Sequence, residues 1–509
     1  MTAVVSESDL PPVVRVRSGR LRRTLLGVAA AAIVGVTAVA VVRGVVAWTI
    51  ARSVDRLDSP DALLCDAAAQ RLRTLDDVAP LVAALSDERP AVRRRLVWVL
   101  APRGADVTPV LLARLADTDP SVRVAACEAL APLDGDEIAA ALAVAARDAD
   151  TDVRRSAIAA LANRSESPTA ARDGAGDVAW RVACARAIRW LVSQQNADGG
   201  WHGQAYDVFE DGRSLTPFVL LALLRTPDDV GTVPEDSVRR ALAFISANSP
   251  AESAFPTYAT SLALRCEVRA RHEGWDARAA QHVAWLRRAQ CSDETGCPRD
   301  DPAHGAWGLD AARSGVFARA DLSATCFALQ ALADAGVAAS DPVMRRAAIF
   351  VTRCHNASGD GGYFLSTNTP EANKAGTCEG PSFKSYGTAT ADGVLARTAL
   401  SGTPDADGVR WLLARREAGR APGFAPTDTS GWDLGVQCYY AAARSQLRDA
   451  LRREDDAAAR AWEDAAVRSI LADQRANGSW VSASSLMRED EPIVATVFCL
   501  ETLARLRAR

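Results

Sequence analysis

The sequence predicts an all-helical protein with three parts. One membrane-spanning helix comes first, then a short stack of helix pairs, then six helix hairpins closed into a toroid, an (α/α)6 arrangement. Three observations carry this prediction. An uncharged apolar run lies near the N terminus, a template recurs every 30 or 31 residues beyond it, and helical runs of longer period fill the rest. The chain is 49% hydrophobic and 24% charged, the balance of folded protein. A formal net charge of −4 over 509 residues supplies no basic surface, so nucleic acid is not an expected partner.

The apolar run is Thr24 to Val42, "TLLGVAAAAIVGVTAVAVV", which is 42 − 24 + 1 = 19 uncharged residues. As a helix it spans roughly 28 Å, close to the thickness of a hydrocarbon core. Arg15, Arg17, Arg20, Arg22 and Arg23 precede it, and fewer positive residues follow. The positive-inside rule keeps residues 1–23 cytoplasmic, makes 24–50 the anchor, and carries the remainder across an inner or plasma membrane. Two alternatives stay open. A cleaved signal peptide has a shorter apolar region, about 7–15 residues. The run "RRTLLG" resembles a twin-arginine export signal. All three readings put the bulk of the chain outside the cytoplasm, where disulfides form. Of eleven cysteines, Cys127, Cys184, Cys326 and Cys499 lie in apolar helical runs and read as buried thiols. The loop pairs Cys291/Cys297 and Cys354/Cys378 are the disulfide candidates.

"LSDERPAVRRRLVWVL", "LADTDPSVRVAACEAL" and "ARDADTDVRRSAIAAL" share one template: an acidic turn, Val-Arg, then a helix. The valines are Val92, Val122 and Val153. The acid caps free N–H groups at the helix start, and the valine anchors the inward face. Residues 60–165 resemble HEAT repeats of a compact kind, helix pairs that must stack to bury their faces. Such a stack offers a partner protein a surface or serves as a spacer. Residues 166–177 end a polar Ser/Pro/Gly-bearing stretch that reads as a linker.

From 178 to 509, inner-helix runs are marked at corresponding points by Thr216, Thr260, Thr325, Thr390, Cys438 and Thr496. Their partner helices fall near 178–195, 236–249, 279–290, 343–354, 407–417 and 462–475. Closing six such hairpins into a ring buries the flanks an open solenoid would expose. Two helix ends carry the same unusual punctuation: "QNADGGW", Gln195 to Trp201, and "QRANGSW", Gln474 to Trp480. Glycine supplies the positive φ that stops a helix, but the Gln and Trp are not needed for a stop. Weaker forms are "GDGGYF", Gly359 to Phe364, and "APGFAP", Ala421 to Pro426.

These stretches resemble the QW motif of squalene and oxidosqualene cyclases, in the terpenoid cyclase/protein prenyltransferase superfamily. The resemblance implies that Gln195 and Gln474 reach neighbouring helix ends while Trp201 and Trp480 pack against them. It also implies where chemistry would sit. Cyclases of this kind protonate an alkene or epoxide from a DxDD run at an inner-helix start. The best match is "DLSAT", where Asp321 is present but Ser323 and Ala324 replace the other two acids. A proton-donating carboxyl must be kept neutral by burial and clustered partners. Help for Asp321 would have to come from other hairpins, with Asp392, Asp433 and Glu491 the candidates, and no such cluster is expected. Prenyltransferases instead hold zinc with Asp, Cys and His. Asp433 and Cys438 are five apart rather than a DxC pair, and all five histidines precede Asp433. No metal or cofactor is expected.

The candidate acids are therefore Asp321, Asp392, Asp433 and Glu491. The candidate pocket and lid residues are His202, His304, Trp307, Tyr363, Tyr386 and Trp432. Gly359 to Tyr386, 386 − 359 + 1 = 28 residues without a helical period, reads as a lid. The expected function is that of a membrane-anchored scaffold binding a lipid, isoprenoid, peptide or protein partner without the family's chemistry. The alternative is an enzyme on isoprenoid-like substrates using a non-standard acid. An aromatic-lined cavity with paired carboxylates would favour the enzyme, and a filled or polar centre would count against it.

Overall fold

The computed structural model describes residues 41–164, 176–203, 205–309, 320–357, 359–378, 383–425 and 427–507. All but the last two residues of the predicted span, and the linker as far as residue 175, lie outside these. Two compact units divide between Ala129 and Leu130.

The first unit opens with helix α1 (41–56), whose Val41, Val42, Val45, Val46 and Trp48 are all exposed. Next come α2 (Ala62–Arg73), α3 (Ala79–Ala84), α4 (Pro90–Leu100), α5 (Thr108–Arg114) and α6 (Pro120–Leu130). Among the described residues, Pro90–Arg114 is the one run long and apolar enough to cross a membrane. Gly104, at φ 61° and ψ −130°, breaks it into separate helices. Leu96, Leu100 and Leu111 bury in the repeat core, so the run belongs to the packed unit. The repeat template has a visible cause. Val92, Val122 and Val153 are fully buried. The arginine after each valine donates to the acidic-turn carbonyl six residues back: Arg93 to Asp87 at 2.9 Å, Arg123 to Asp117 at 2.9 Å, Arg154 to Asp148 at 2.8 Å.

The second unit begins with the third helix pair, α7 (Asp136–Ala145) and α8 (Thr151–Ala162), and α8 packs on α9 (Gly176–Ser193). The end of the repeat sequence and the edge of the compact unit therefore do not coincide. Beyond α9 the outer helices are α11 (Glu235–Ala247), α13 (Trp275–Ala289), α15 (Pro342–Arg353), α17 (Ala406–Leu413) and α21 (Asp456–Ala472). The inner helices are α10 (Leu215–Arg225), α12 (Pro256–Ala270), α14 (Leu322–Asp334), α16 (Gly387–Ser401), α19 (Gln437–Ser445) and α22 (Pro492–Arg507). Two short helices, α18 (Trp432–Gly435) and α20 (Arg448–Glu454), fill connections. Each inner helix packs against the next, and α22 packs back on α10. The ring is closed.

The motif ties this ring together in a repeated way. Gln195 Nε2 donates to the Gly199 carbonyl at 2.9 Å and to Ser237 of the next outer helix at 2.9 Å. The Trp201 ring N–H bonds the Leu191 carbonyl near the end of α9 at 2.6 Å, an acceptor it shares with the Gln194 N–H. Gly199, at φ 91°, sits so close to the Arg240 carbonyl that a Cβ would come within 2.5 Å of it. Gln474 repeats the pattern with Gly478 and reaches Ala183 of α9 at 2.8 Å, fastening the last hairpin to the first.

A third complete clasp escapes the sequence pattern. Gln290 donates to Gly305 at 3.0 Å and to Val343 at 2.9 Å, and Trp307 bonds Leu286 at 2.8 Å. Its Gln and Trp are 307 − 290 = 17 apart instead of 201 − 195 = 6, because a loop closed by the Cys291–Cys297 disulfide is inserted between them. The other candidate bridge does not form: Cys354 is a buried free thiol and Cys378 an exposed one.

The threonines that mark the inner helices have a matching role. Thr216, Thr325, Thr390 and Thr496 each accept the backbone N–H of the motif aromatic at 3.0–3.1 Å. The second hairpin has no such motif, and the buried Thr260 hydroxyl there is left without a partner.

Candidate ligand site at the toroid mouth

The inner helices are apolar on nearly every side, so their side chains meet across the ring axis. Five of the six contribute an aromatic: Phe218 from α10, Tyr258 from α12, Phe327 from α14, Tyr439 from α19 and Phe498 from α22. Consecutive rings stand 4.9–6.5 Å apart, from Tyr258 through Phe327, Tyr439 and Phe498 to Phe218. The sixth helix, α16, supplies Asp392, which takes the Tyr439 hydroxyl on both carboxylate oxygens at 2.7 Å. The cavity lined by Phe218, Phe327, Tyr439, Phe498 and Asp392 holds about 20 Å³. That is room for about one water. An isoprenoid chain does not fit in it.

The inner-helix N-termini form one mouth of the ring. Asp321 caps α14 by accepting the Ala324 N–H at 2.7 Å. Its backbone is held by a two-stranded pairing of β1 (Trp307–Gly308) with β2 (Ala320–Asp321). Burial pushes its carboxyl up to about 6, against the lowering effect of the Ala324 N–H and of Lys374. Burial also pushes Asp392 up to about 7, with the Asp321 charge adding to the rise and Tyr439, Ser323 and Lys374 opposing it. Ser323, on the first turn of α14, bonds the Tyr439 hydroxyl at 2.7 Å and so links the two acids. The expectation that no cluster would form around Asp321 is thus corrected. A helix-capping acid on α14 and an acid on the neighbouring inner helix α16 are connected through Ser323 and Tyr439. A third acid, Glu489, carries no signal in the sequence. It accepts the Cys438 and Tyr439 N–H groups at 3.0 and 2.9 Å, and burial raises it to about 7.

Lys374 covers this mouth. Its Nζ lies 5.1 Å from the Trp432 ring centroid and 5.9 Å from that of Tyr386. Burial lowers the amine, while Asp321 and Asp392 work to raise it.

The remaining predicted residues are engaged in other contacts. Asp433 is paired with Arg420 at 2.7 Å. Glu491 is buried at the start of α22 and accepts the Ala205 N–H at 3.2 Å. His202 bridges the Glu210 carbonyl and Asp198 in the turn after Trp201. His304 is buried against the Cys297 carbonyl. Trp307 and Tyr363 are fully buried and serve as motif aromatics rather than lid residues. Tyr363 presses so closely on α16 that a Cβ at Gly393 would stand 2.3 Å from its ring. Among the described residues, the one His/Cys/Asp/Glu group close enough to hold an ion is Cys291, Cys297 and Asp301, and its two sulfurs are joined to each other.

At the opposite end of the bore, Arg225, Arg265 and Arg505 gather around Glu501. Arg225 and Arg505 reach its carboxylate at 3.0 and 3.4 Å, and Arg265 pairs with Asp334 at 2.7 Å.

Fold and site together define a class: a closed ring of six helix hairpins, preceded by HEAT repeats, with acids and aromatics at one mouth. The HEAT-repeat family profile matches residues 78–162. No curated protein sequence matches the chain. Among solved structures, the chain is similar to an alpha-1,6-mannanase from Salegentibacter sp., at 9% identity and a TM-score of 0.44, over 65% of this chain and 99% of that one. It is also similar to a type II terpene cyclase, MstE, from Scytonema, bound to geranylgeranyl dihydroxybenzoate. There the identity is 14% and the TM-score 0.42, over 65% of this chain and 97% of the other. Neither likeness transfers an activity.

Proposed function

We propose that this protein is a membrane-tethered binding scaffold whose ligand is received at the toroid mouth around Asp321, Asp392, Tyr386 and Trp432. The observation that carries this reading is the aromatic belt across the bore: among the described residues, the cavity behind it, which reaches Arg225, Arg265 and Glu501, has room for about one water. A ligand therefore docks at the mouth rather than threading the ring. The tether is residues 24–42, with the N terminus cytoplasmic and the HEAT repeats and toroid outside. Two features support that topology. The apolar residues of α1 continue the predicted span and stay exposed, and the Cys291–Cys297 bridge suits an oxidising compartment. The HEAT repeats serve a protein partner, a role supported by the exposed Leu63, Leu64 and Trp98 of the first unit.

Native mass spectrometry after mild detergent release tests the mouth. Wild type should carry a bound mass that is missing from Trp432→Ala, and bare protein in both preparations would refute the reading.

A second reading has its own support. Asp321 and Asp392, held near 6 and 7, are partly neutral near pH 7, as a proton donor must be. On that reading, linear isoprenoids would be cyclised by wild type and by neither Asp321→Asn nor Asp392→Asn. Product absent from wild type would leave the scaffold alone.

A further inference from the structure

Lys374 is one of only two lysines in the chain, and the loop that carries it is firmly buttoned in place. Asn373 is buried; its Oδ1 accepts the Leu365 and Ser366 N–H groups at 2.8 and 3.0 Å, and its Nδ2 donates to the Ser366 carbonyl. Ser366 donates to the Ala320 carbonyl at 2.6 Å, and the Leu322 N–H bonds Leu365. Both segments flanking Asp321 are thereby tied to the Lys374 loop. These bonds fix the backbone from which the Lys374 side chain extends beside the residues that flank Asp321.

What its ammonium finds there is unusual. No carboxylate among the described residues lies within ion-pairing distance of it; it sits instead between the Trp432 and Tyr386 rings. A positive charge over aromatic faces is stabilised by their quadrupoles, the more so where water is excluded. Beneath it are two carboxyls, Asp321 and Asp392, 5% and 1% exposed. A second observation points to a ligand. Tyr386 is fully buried, its hydroxyl lies in the field of both acids, and among the described residues that hydroxyl makes no well-aligned hydrogen bond, the Thr388 hydroxyl being its polar neighbour. A buried hydroxyl left unpaired is costly, and such groups mark places where another molecule's polar group belongs.

We infer that the mouth is an ammonium-binding site, that Lys374 is its built-in occupant, and that a ligand bearing an alkylammonium group binds by displacing Lys374. The chemistry is complete for that class. Two rings face the cation, two acids supply negative charge, and the Tyr386 hydroxyl oxygen can accept an N–H. Displacement also sets the affinity, because an external cation must compete with one that is permanently tethered at high effective concentration. This inference rests on the mouth being the ligand site, and it adds the ligand's charge.

The test uses propylammonium as probe, with 1-propanol as its neutral counterpart, on the full chain in detergent. Calorimetry should show Lys374→Ala binding propylammonium at least tenfold more tightly than wild type and at least tenfold more tightly than it binds 1-propanol. Adding Asp321→Asn and Asp392→Asn should abolish that gain. Equal affinity in wild type and Lys374→Ala, or equal binding of the alcohol, overturns the inference. A second arm leaves the protein unmutated. Reductive methylation with a carbon-13 label gives one signal each for Lys374 and the exposed Lys384. Propylammonium should move the Lys374 signal toward that of Lys384, and a stationary Lys374 signal at saturating probe overturns the inference too. A bound mass lost in Trp432→Ala, together with no gain in Lys374→Ala, keeps the mouth as the site and removes only the ammonium assignment.

Discussion

The two ends of the bore bury charge in comparable amounts and resolve it in opposite ways. At the far end, burial works to raise the Glu501 carboxyl, but Arg505, Arg225 and Arg265 overcome it and hold the group below the usual range. Arg265 is lowered to about 10, first by burial and then by the repulsion of Arg225. At the mouth no arginine among the described residues pairs with Asp321, Asp392 or Glu489, and all three are raised by the same burial. Desolvation alone does not decide what a buried acid becomes; the geometry of its counter-charge does. A carboxylate met directly by guanidinium groups is cross-linking, and one that makes no ion pair among the described residues is available for chemistry or binding.

The sharpest way to break this comparison is to remove the counter-charge. Glu501→Ala leaves Arg225 and Arg505 unmatched and should destabilise the fold by about 3 kcal/mol or more. A loss well under 1 kcal/mol in chemical denaturation would show that the far end is as loosely compensated as the mouth. Next in size is Tyr439→Phe, which takes a donor from Asp392 and an acceptor from Ser323. It should cost about 1–3 kcal/mol and move the Asp392 carboxyl further up, read by carbon-13 NMR titration. An unchanged Asp392 midpoint would mean the hydroxyl does not restrain it.

The pH dependence is the finer discriminator. Asp392 and Asp321 have raised folded-state values, so the folded state binds more protons than the unfolded one between about pH 4 and 7. Their contribution is full below the ordinary carboxylate value of 3.8 and is lost as pH rises through about 6 to 7. Each group tilts stability downward with rising pH by up to about 1.4 kcal/mol per unit in that window. Asp392→Asn should flatten the slope and be relatively more stable at pH 8 than at pH 5. A wild-type and variant pair with parallel pH–stability curves would contradict the assignment. Glu501, lowered rather than raised, should contribute stability that appears above its unfolded value and persists to pH 8.

Much of the ring is legible in the residues because its period is local. A Gln, a turn glycine and a Trp six residues apart can be read at Gln195 and Gln474, and the inner-helix threonines at 216, 325, 390 and 496 mark where each clasp lands. The third clasp is hidden because the loop inserted after Gln290 stretches the spacing. The signals that could have found it are the Gly305-Ala306-Trp307 ending and Thr325 opening the inner-helix run 18 residues beyond Trp307. The mouth is less legible. Asp321 and Asp392 each look solitary in the sequence, and only the packing of α14 on α16 brings them near each other. Lys374 shows no motif at all; its position comes from Asn373 and Ser366, ordinary loop residues whose hydrogen bonds are fixed by tertiary structure.

The reach of Gln474 back to Ala183, 291 positions earlier, has a consequence for how the ring is made. A chain emerging from its N terminus can assemble successive hairpins as they appear, yet it cannot seal the circle until the sixth has arrived. Until then the faces of α9 and α10 that await α22 stay uncovered. Contacts of such long sequence separation form slowly, since loop-closure entropy must be met before they are rewarded. The last stretch of the polypeptide is therefore the latch of the whole assembly, and a nascent chain stalled before residue 474 is an open arc whose two ends are available to other proteins.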